Sequence, residues 1–130
     1  MIERLLARYT TLDLRDYTEL LHLRDDYRIV EVDLRENSWL ANSSLGQLNL
    51  PTEGVLVLGV QRSGERYIGA PPPGVRLCPS DLLVLYGRKD RLRELTNRAA
   101  GDQAAHDEAT GAYSREREEQ QSEVERMKAE

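Results

Sequence analysis

The chain has 130 residues, with 23 acidic and 18 basic side chains, one cysteine, two histidines and no phenylalanine. That length allows one ordinary domain and excludes most large enzyme folds. The longest apolar run, Val55 to Val60, falls well short of the roughly 20 residues that span a bilayer, and the N-terminus lacks the apolar stretch of a signal peptide. A soluble, unexported chain is expected, stabilised by packing, because Cys78 has no second cysteine to pair with. The net charge of -5 argues against indiscriminate binding to nucleic acid. The charge is uneven, however: residues 1–26 carry 4 basic and 6 acidic residues, 27–100 carry 10 and 8, and 101–130 carry 4 and 9. A mildly basic centre is flanked by acidic ends.

In residues 1–26, Ile2, Leu5, Leu6 and Tyr9, then Leu14, Tyr17, Leu20 and Leu21, recur at helical spacing. Two short amphipathic helices follow, the second capped by Asp13. About 26 residues cannot enclose a core, so this zone reads as an arm that packs on something else.

The period changes at Tyr27. Val30, Val32 and Leu34 alternate with Glu31, Asp33 and Arg35, the pattern of a strand with one wet face. Ser38 to Leu50 reads as a short helix entered through a serine cap and ended before Pro51. Val55 to Val60 is apolar on both faces and needs cover on both, by helices of this chain on one side and a second layer or subunit on the other. Arg62-Ser63-Gly64-Glu65 is a tight turn, Arg66 to Ala70 returns as the hairpin partner, and Pro71-Pro72-Pro73 ends the ladder. Leu82 to Tyr86 is a last buried strand broken by Gly87, and Asp90 starts a helix with Leu92, Leu95 and Ala99 on one face. Residues 101–130 hold few hydrophobes and read as a solvated tail or an exposed helix.

In combination, several of these pieces resemble the TrkA-C domain of RCK-type regulators of potassium channels and transporters. They are Val30-Glu31-Val32, Ser43-Ser44-Leu45-Gly46-Gln47-Leu48, Gly54 to Arg62, Gly64, the Ile68 to Pro73 return strand, Leu77 with Pro79-Ser80-Asp81, and Leu85-Tyr86-Gly87. The family pattern has glycine before the aspartate, where this chain has Ser80. No Gly-x-Gly-x-x-Gly run is present, so NAD or ATP binding of the Rossmann kind is not carried over. The resemblance implies an α+β fold: a small, mostly antiparallel sheet of about four strands with flanking helices, here between a helical arm (1–26) and a charged tail or helix (101–130). It also implies a cytoplasmic homodimer, held at the inner face of the membrane through an attached segment or a cation channel or transporter. Its ligand would be small and regulatory, cyclic di-AMP or another nucleotide-like anion.

Arg62 beside a rigid proline shelf offers a planar donor fork for a phosphate next to apolar surface for a base. The expected ligand residues are Val60, Gln61, Arg62, Ala70, Pro71 and Pro72, and the expected dimer residues are Val55, Val57 and Gly59. The plainer reading makes Arg62 a solvated hairpin residue. Gly59 and Gly64 have P-loop spacing, but Glu65-Arg66 stands where Lys-Ser/Thr is required. Glu31 with Asp33 reads as a wet strand face rather than an acid and base pair, and Trp39 as a packing anchor. His22, His106 and Cys78 lack metal-ligand spacing, and no nucleophile elbow occurs. The expected function is regulatory and non-enzymatic, without cofactor, metal or nucleic-acid partner. The rival is a ligand-free dimerisation domain acting through its N-terminal arm and C-terminal helix.

Overall fold

The computed structural model describes residues 26–129; the expected helical arm lies outside the described residues. Four strands form one antiparallel sheet in the order β1-β4-β2-β3: β1 Tyr27–Asp33, β2 Leu56–Gln61, β3 Tyr67–Gly69 and β4 Leu82–Arg88. Between β1 and β2 lie helix α1 (Leu45–Leu48) and a 3-10 turn (Leu50–Glu53). After β4 come α2 (Lys89–Asn97), α3 (Gln103–Glu119) and α4 (Gln121–Ala129). The C-terminal zone is therefore helical, in two pieces.

One face of the sheet builds the core. Leu83 and Leu85 of β4 and Val60 of β2 meet Leu92 and Leu95 of α2, with Leu40, Leu48, Leu50 and Leu77 closing the sides. The i, i+3 spacing of Leu92 and Leu95 gives α2 the single apolar stripe that this face needs. The segment between β1 and α1 is tied down by its backbone: Trp39 N donates to Arg98 O (2.9 Å), Asn42 N to Leu77 O (2.8 Å) and Leu77 N to Ser43 O (2.9 Å). Such pairing satisfies main-chain groups that would otherwise be buried without partners beside Leu40.

Helix α1 carries a complete capping box. The Ser44 side chain accepts from Gln47 N, and the Gln47 side chain accepts from Ser44 N.

Three local expectations change. Gly87 lies inside β4, paired with Arg28, and does not break it. A Cβ there would sit 3.2 Å from Gly54 O and 3.4 Å from Val55 Cγ2, so glycine permits close approach. The following helix starts at Lys89, with Asp90 in its first turn. Thirdly, the β2–β4 pairing shifts between Val57 and Gly59, a bulge at Leu58. One extra residue reverses the in-out alternation. Val55, fully buried, and Val57 therefore pack into this chain's own core. Only Gly59 of the three expected dimer residues lies on the opposite face, where the Tyr67 ring covers it: a Cβ at Gly59 would lie 1.7 Å from the Tyr67 hydroxyl.

That opposite face is open and mixed, with Glu31 and Asp33 at one end of β1 and an apolar patch beside them. Ile29, Tyr86 and Leu56 align in one cross-strand row, with Ile29 and Leu56 37% and 46% exposed. Tyr27 stacks on Tyr86 at 5.5 Å.

Candidate ligand groove

Strand β3 pairs with β2 only from Gly59 to Gln61, so the first half of β2 has β4 on one edge and no strand on the other. The last tie is Ala70 N donating to Leu58 O (2.8 Å); the chain then leaves through Ala70, in the left-handed region at φ +48°, into the three prolines. Prolines lack the donor that would continue the ladder. Helix α1 closes the gap from the other side. Gly46 N donates to Pro73 O (2.9 Å), and a Cβ at Gly46 would lie 3.3 Å from Pro73 Cβ, so this glycine lets the helix sit against the proline shelf.

Between these walls runs a groove of about 470 Å³. Leu45, Gly46, Asn49, Leu50 and Pro51 form one side, Leu56, Val57 and Leu58 the floor, and Ala70, Pro71 and Pro73 the other side. Its size and apolar lining suit a small organic ligand, with Asn49 as the one polar side chain and no ionisable one. Flat rings are accepted well by such walls, because prolines and leucines offer apolar contact while prolines lose little freedom on binding.

Of the six expected ligand residues, only Ala70 and Pro71 line this groove. Pro72 is exposed beside it. Val60 is buried in the core, and the Gln61 amide donates to Glu65 O (2.9 Å). Arg62 is engaged elsewhere: Nε donates to Asp81 Oδ1 (2.9 Å), and Nη2 donates to Asp81 Oδ2 (3.1 Å) and Arg76 O (2.9 Å). Asp81 is wholly buried and also accepts from Cys78 N (2.8 Å). Hydrogen bonding to Asp81, then its charge, raises the Arg62 pKa further. The expected phosphate fork is thus a structural clamp on the start of β4. Preceding that clamp, Ser80 adopts φ +75°, which explains why the family pattern favours glycine there.

Sequence reasoning missed the helical wall of the groove. The Ser44-x-x-Gln47 box, and Gly46 with Pro51 around it, were the available signal.

A second cluster also escaped the sequence. Arg98, with no exposed side-chain surface, makes a bidentate pair with buried Glu53 (3.0 and 2.7 Å) and also holds Glu94. Burial disfavours the Arg98 charge, but the hydrogen bonds to Glu53 and Glu94 outweigh it, and its pKa is raised. His106 Nδ1 of α3 lies 2.6 Å from Glu53 Oε2, and its ring stacks on Trp39 at 5.1 Å while Arg98 covers Trp39 at 4.6 Å. Trp39 is a packing anchor. Among the described residues, no group of three or more His, Cys, Asp or Glu side chains converges as a metal site, and no helix is long and apolar enough to cross a membrane.

No curated protein matches the chain. Solved structures do. The chain is 27% identical to the C domain of the potassium transport protein KtrA regulator of conductance of K+, in complex with cyclic diadenosine monophosphate, with 65% of this chain and 94% of that one covered and a TM-score of 0.47. It is 23% identical to an RCK_C domain dimer of S. agalactiae BusR in complex with c-di-AMP, covering 50% and 86%, TM-score 0.45. A third is S. agalactiae BusR in complex with its busA-promoter DNA, 18% identical over 74% of this chain and 57% of that one, TM-score 0.47. That complex overturns the expectation that nucleic acid is excluded as a partner: a protein matched by this chain occurs on DNA, and net charge alone did not justify the exclusion. The TrkA-C domain model matches residues 29–100, the span that holds the sheet, the groove and both arginine clamps, and the chain belongs to the TrkA-C domain family.

Proposed function

We propose that this chain is a non-catalytic regulatory module that binds a purine nucleotide such as cyclic di-AMP, as a homodimer, and thereby controls a potassium or other cation channel or transporter. The observation that carries the reading is the apolar groove, built from the segments that carry the family pattern: the Ser44–Leu48 helix, β2 and the Ala70–Pro73 shelf. Family membership supports a small regulatory ligand, and the groove supplies a bed for its base.

The position of the exposed row supports a second copy. Leu56 belongs both to the groove and to the exposed row Ile29–Tyr86–Leu56. A two-fold partner covering that row lies beside both grooves, and a two-fold ligand with a base in each would favour one spacing of the copies. The proposed dimer residues are Ile29, Leu56 and Tyr86, in place of Val55 and Val57. Of the expected ligand residues, Ala70 and Pro71 remain, joined by Leu56 and Leu58.

Calorimetry with cyclic di-AMP tests this. Saturable binding is expected, weakened at least roughly tenfold by Leu56→Glu, which places a carboxylate at the groove floor on a half-exposed position. The absence of heat at ligand concentrations of about 1 mM, the weak-binding limit, would sink the ligand reading.

A further inference from the structure

The 3-10 turn has two sides. Leu50 and Pro51 at its start line the groove, while Glu53 and Gly54 at its end hold α3. The turn is short and closed on itself: Gly54 N donates to Pro51 O (3.0 Å) and Val55 N to Leu50 O (3.2 Å). Left-handed residues bound it at both ends, Asn49 at φ +49° and Gly54 at φ +79°. Leu50 and Glu53 are both buried, so the turn moves as a unit or not at all.

Helix α3 grips the far end of that unit. The Tyr113 ring lies directly on Gly54, where a Cβ would come within 2.7 Å of Tyr113 Cδ1. Arg91 of α2 and Arg117 of α3 each stand 5.3 Å from the Tyr113 ring centre, and Glu116 bridges Arg88 (3.2 Å) and Arg91. His106 meets Glu53 one helix half away. Two contacts separated along α3 therefore converge on consecutive residues, Glu53 and Gly54.

We propose that occupancy of the groove and docking of α3 are coupled through the Asn49–Gly54 turn, so that the C-terminal helix is the element that reports the ligand. This rests on the groove being the ligand site. A body pressed against Leu50 and Pro51 displaces a turn whose other end is the seat of Tyr113, and a ligand biases the seat only as far as it binds the two turn positions unequally. By linkage, freeing α3 changes the affinity of the groove by the same factor.

The coupling is tested first without ligand, in the full chain. Tyr113→Ala is compared with Tyr113→Phe, which keeps the ring on Gly54 and loses only the Arg117 bond to the hydroxyl (2.7 Å). Hydrogen exchange of α3 and the methyl resonances of Leu45, Leu56 and Leu58 are read together. Tyr113→Ala is expected to speed exchange in α3 and to move all three methyls, and Tyr113→Phe to do neither. Faster α3 exchange with unmoved groove methyls overturns the proposal. Should Tyr113→Ala unfold, His106→Ala loosens the other anchor and is read the same way. With cyclic di-AMP as probe, Tyr113→Ala is expected to change the affinity by roughly fivefold or more. Unchanged affinity in a chain that binds overturns the coupling. An absence of binding in both proteins defeats the ligand reading alone, with the methyl result still deciding the coupling.

Discussion

The charged side and the apolar side of this domain differ in the opposite way from what a net-charge map suggests. Around the 3-10 turn, Arg98 is spent on Glu53 and Glu94, Arg88 and Arg91 on Glu116, and at the head of β4 Arg62 is spent on Asp81. At the other end of that turn, the groove, with the Ile29–Tyr86–Leu56 row beside it, presents carbon to solvent. Four of the ten basic residues in 27–100 therefore join elements, and none of the ten lines the groove, where recognition is left to shape and apolar surface. Arginines in a basic domain mark an anion site only when their carboxylate partners have been accounted for.

The sharpest way to break this contrast is to remove the buried carboxylate. Glu53→Ala leaves the Arg98 charge in a dry site with one remaining acid and strips α3 of its His106 contact. Urea unfolding is expected to show a loss of about 3–5 kcal/mol. Asp81→Asn attacks the other clamp, where the partner arginine is 40% exposed at its side chain and rehydrates more readily. Its expected cost is smaller, about 1.5–3 kcal/mol, from charge-assisted bonds lost to Arg62.

Ser80→Gly works in the favourable direction. Relieving φ +75° gains roughly 1–2 kcal/mol, which the greater freedom of glycine in the unfolded chain reduces to a net gain below about 1 kcal/mol. Leu56→Glu, on the apolar side, is expected to leave the fold of a single copy within about 0.5 kcal/mol of the parent while losing both the ligand and the second copy. Stability without binding is what separates the recognition surface from the scaffold.

The smallest effect is alkaline. Burial, then the Glu31 charge, raises the Tyr67 pKa above its ordinary 10.0. The unfolded chain therefore ionises first. The stabilising contribution of the neutral phenol is complete below about pH 10 and is lost as pH rises through the folded value. Tyr67→Phe is expected to flatten the decline of thermal stability above about pH 10, and an unchanged slope would show that Tyr67 contributes nothing to it.

Much of the fold was legible because β1, β2, β4 and α2 follow simple periods, and because serine, glycine and proline mark the turns around them. The Val55–Val60 run was identified as a strand needing cover on both faces, but its facing was misassigned. A bulge is invisible to a strict period of two, and the single extra residue at Leu58 sent Val55 and Val57 inward. Gly87 misled for a related reason: glycine was taken as a breaker where it serves close packing against Gly54.

The site was half legible. Ala70 and Pro71 were identified from the proline shelf, whereas Arg62 was chosen for its chemistry, and its partner Asp81 lies 19 residues away with nothing local to announce the pairing. The Glu53–Arg98–His106 cluster spans 53 residues, and only the folded chain brings it together.

The central claim is that a nucleotide base lies in the groove and that Arg62 stays on Asp81. Methyl and amide resonances followed during titration with cyclic di-AMP test it directly. The expected result is that the largest shifts fall on Leu45, Leu56, Leu58 and Ala70, with the Arg62 side-chain signal unmoved. Shifts centred on Gln61 and Arg62, with the groove methyls silent, would contradict it.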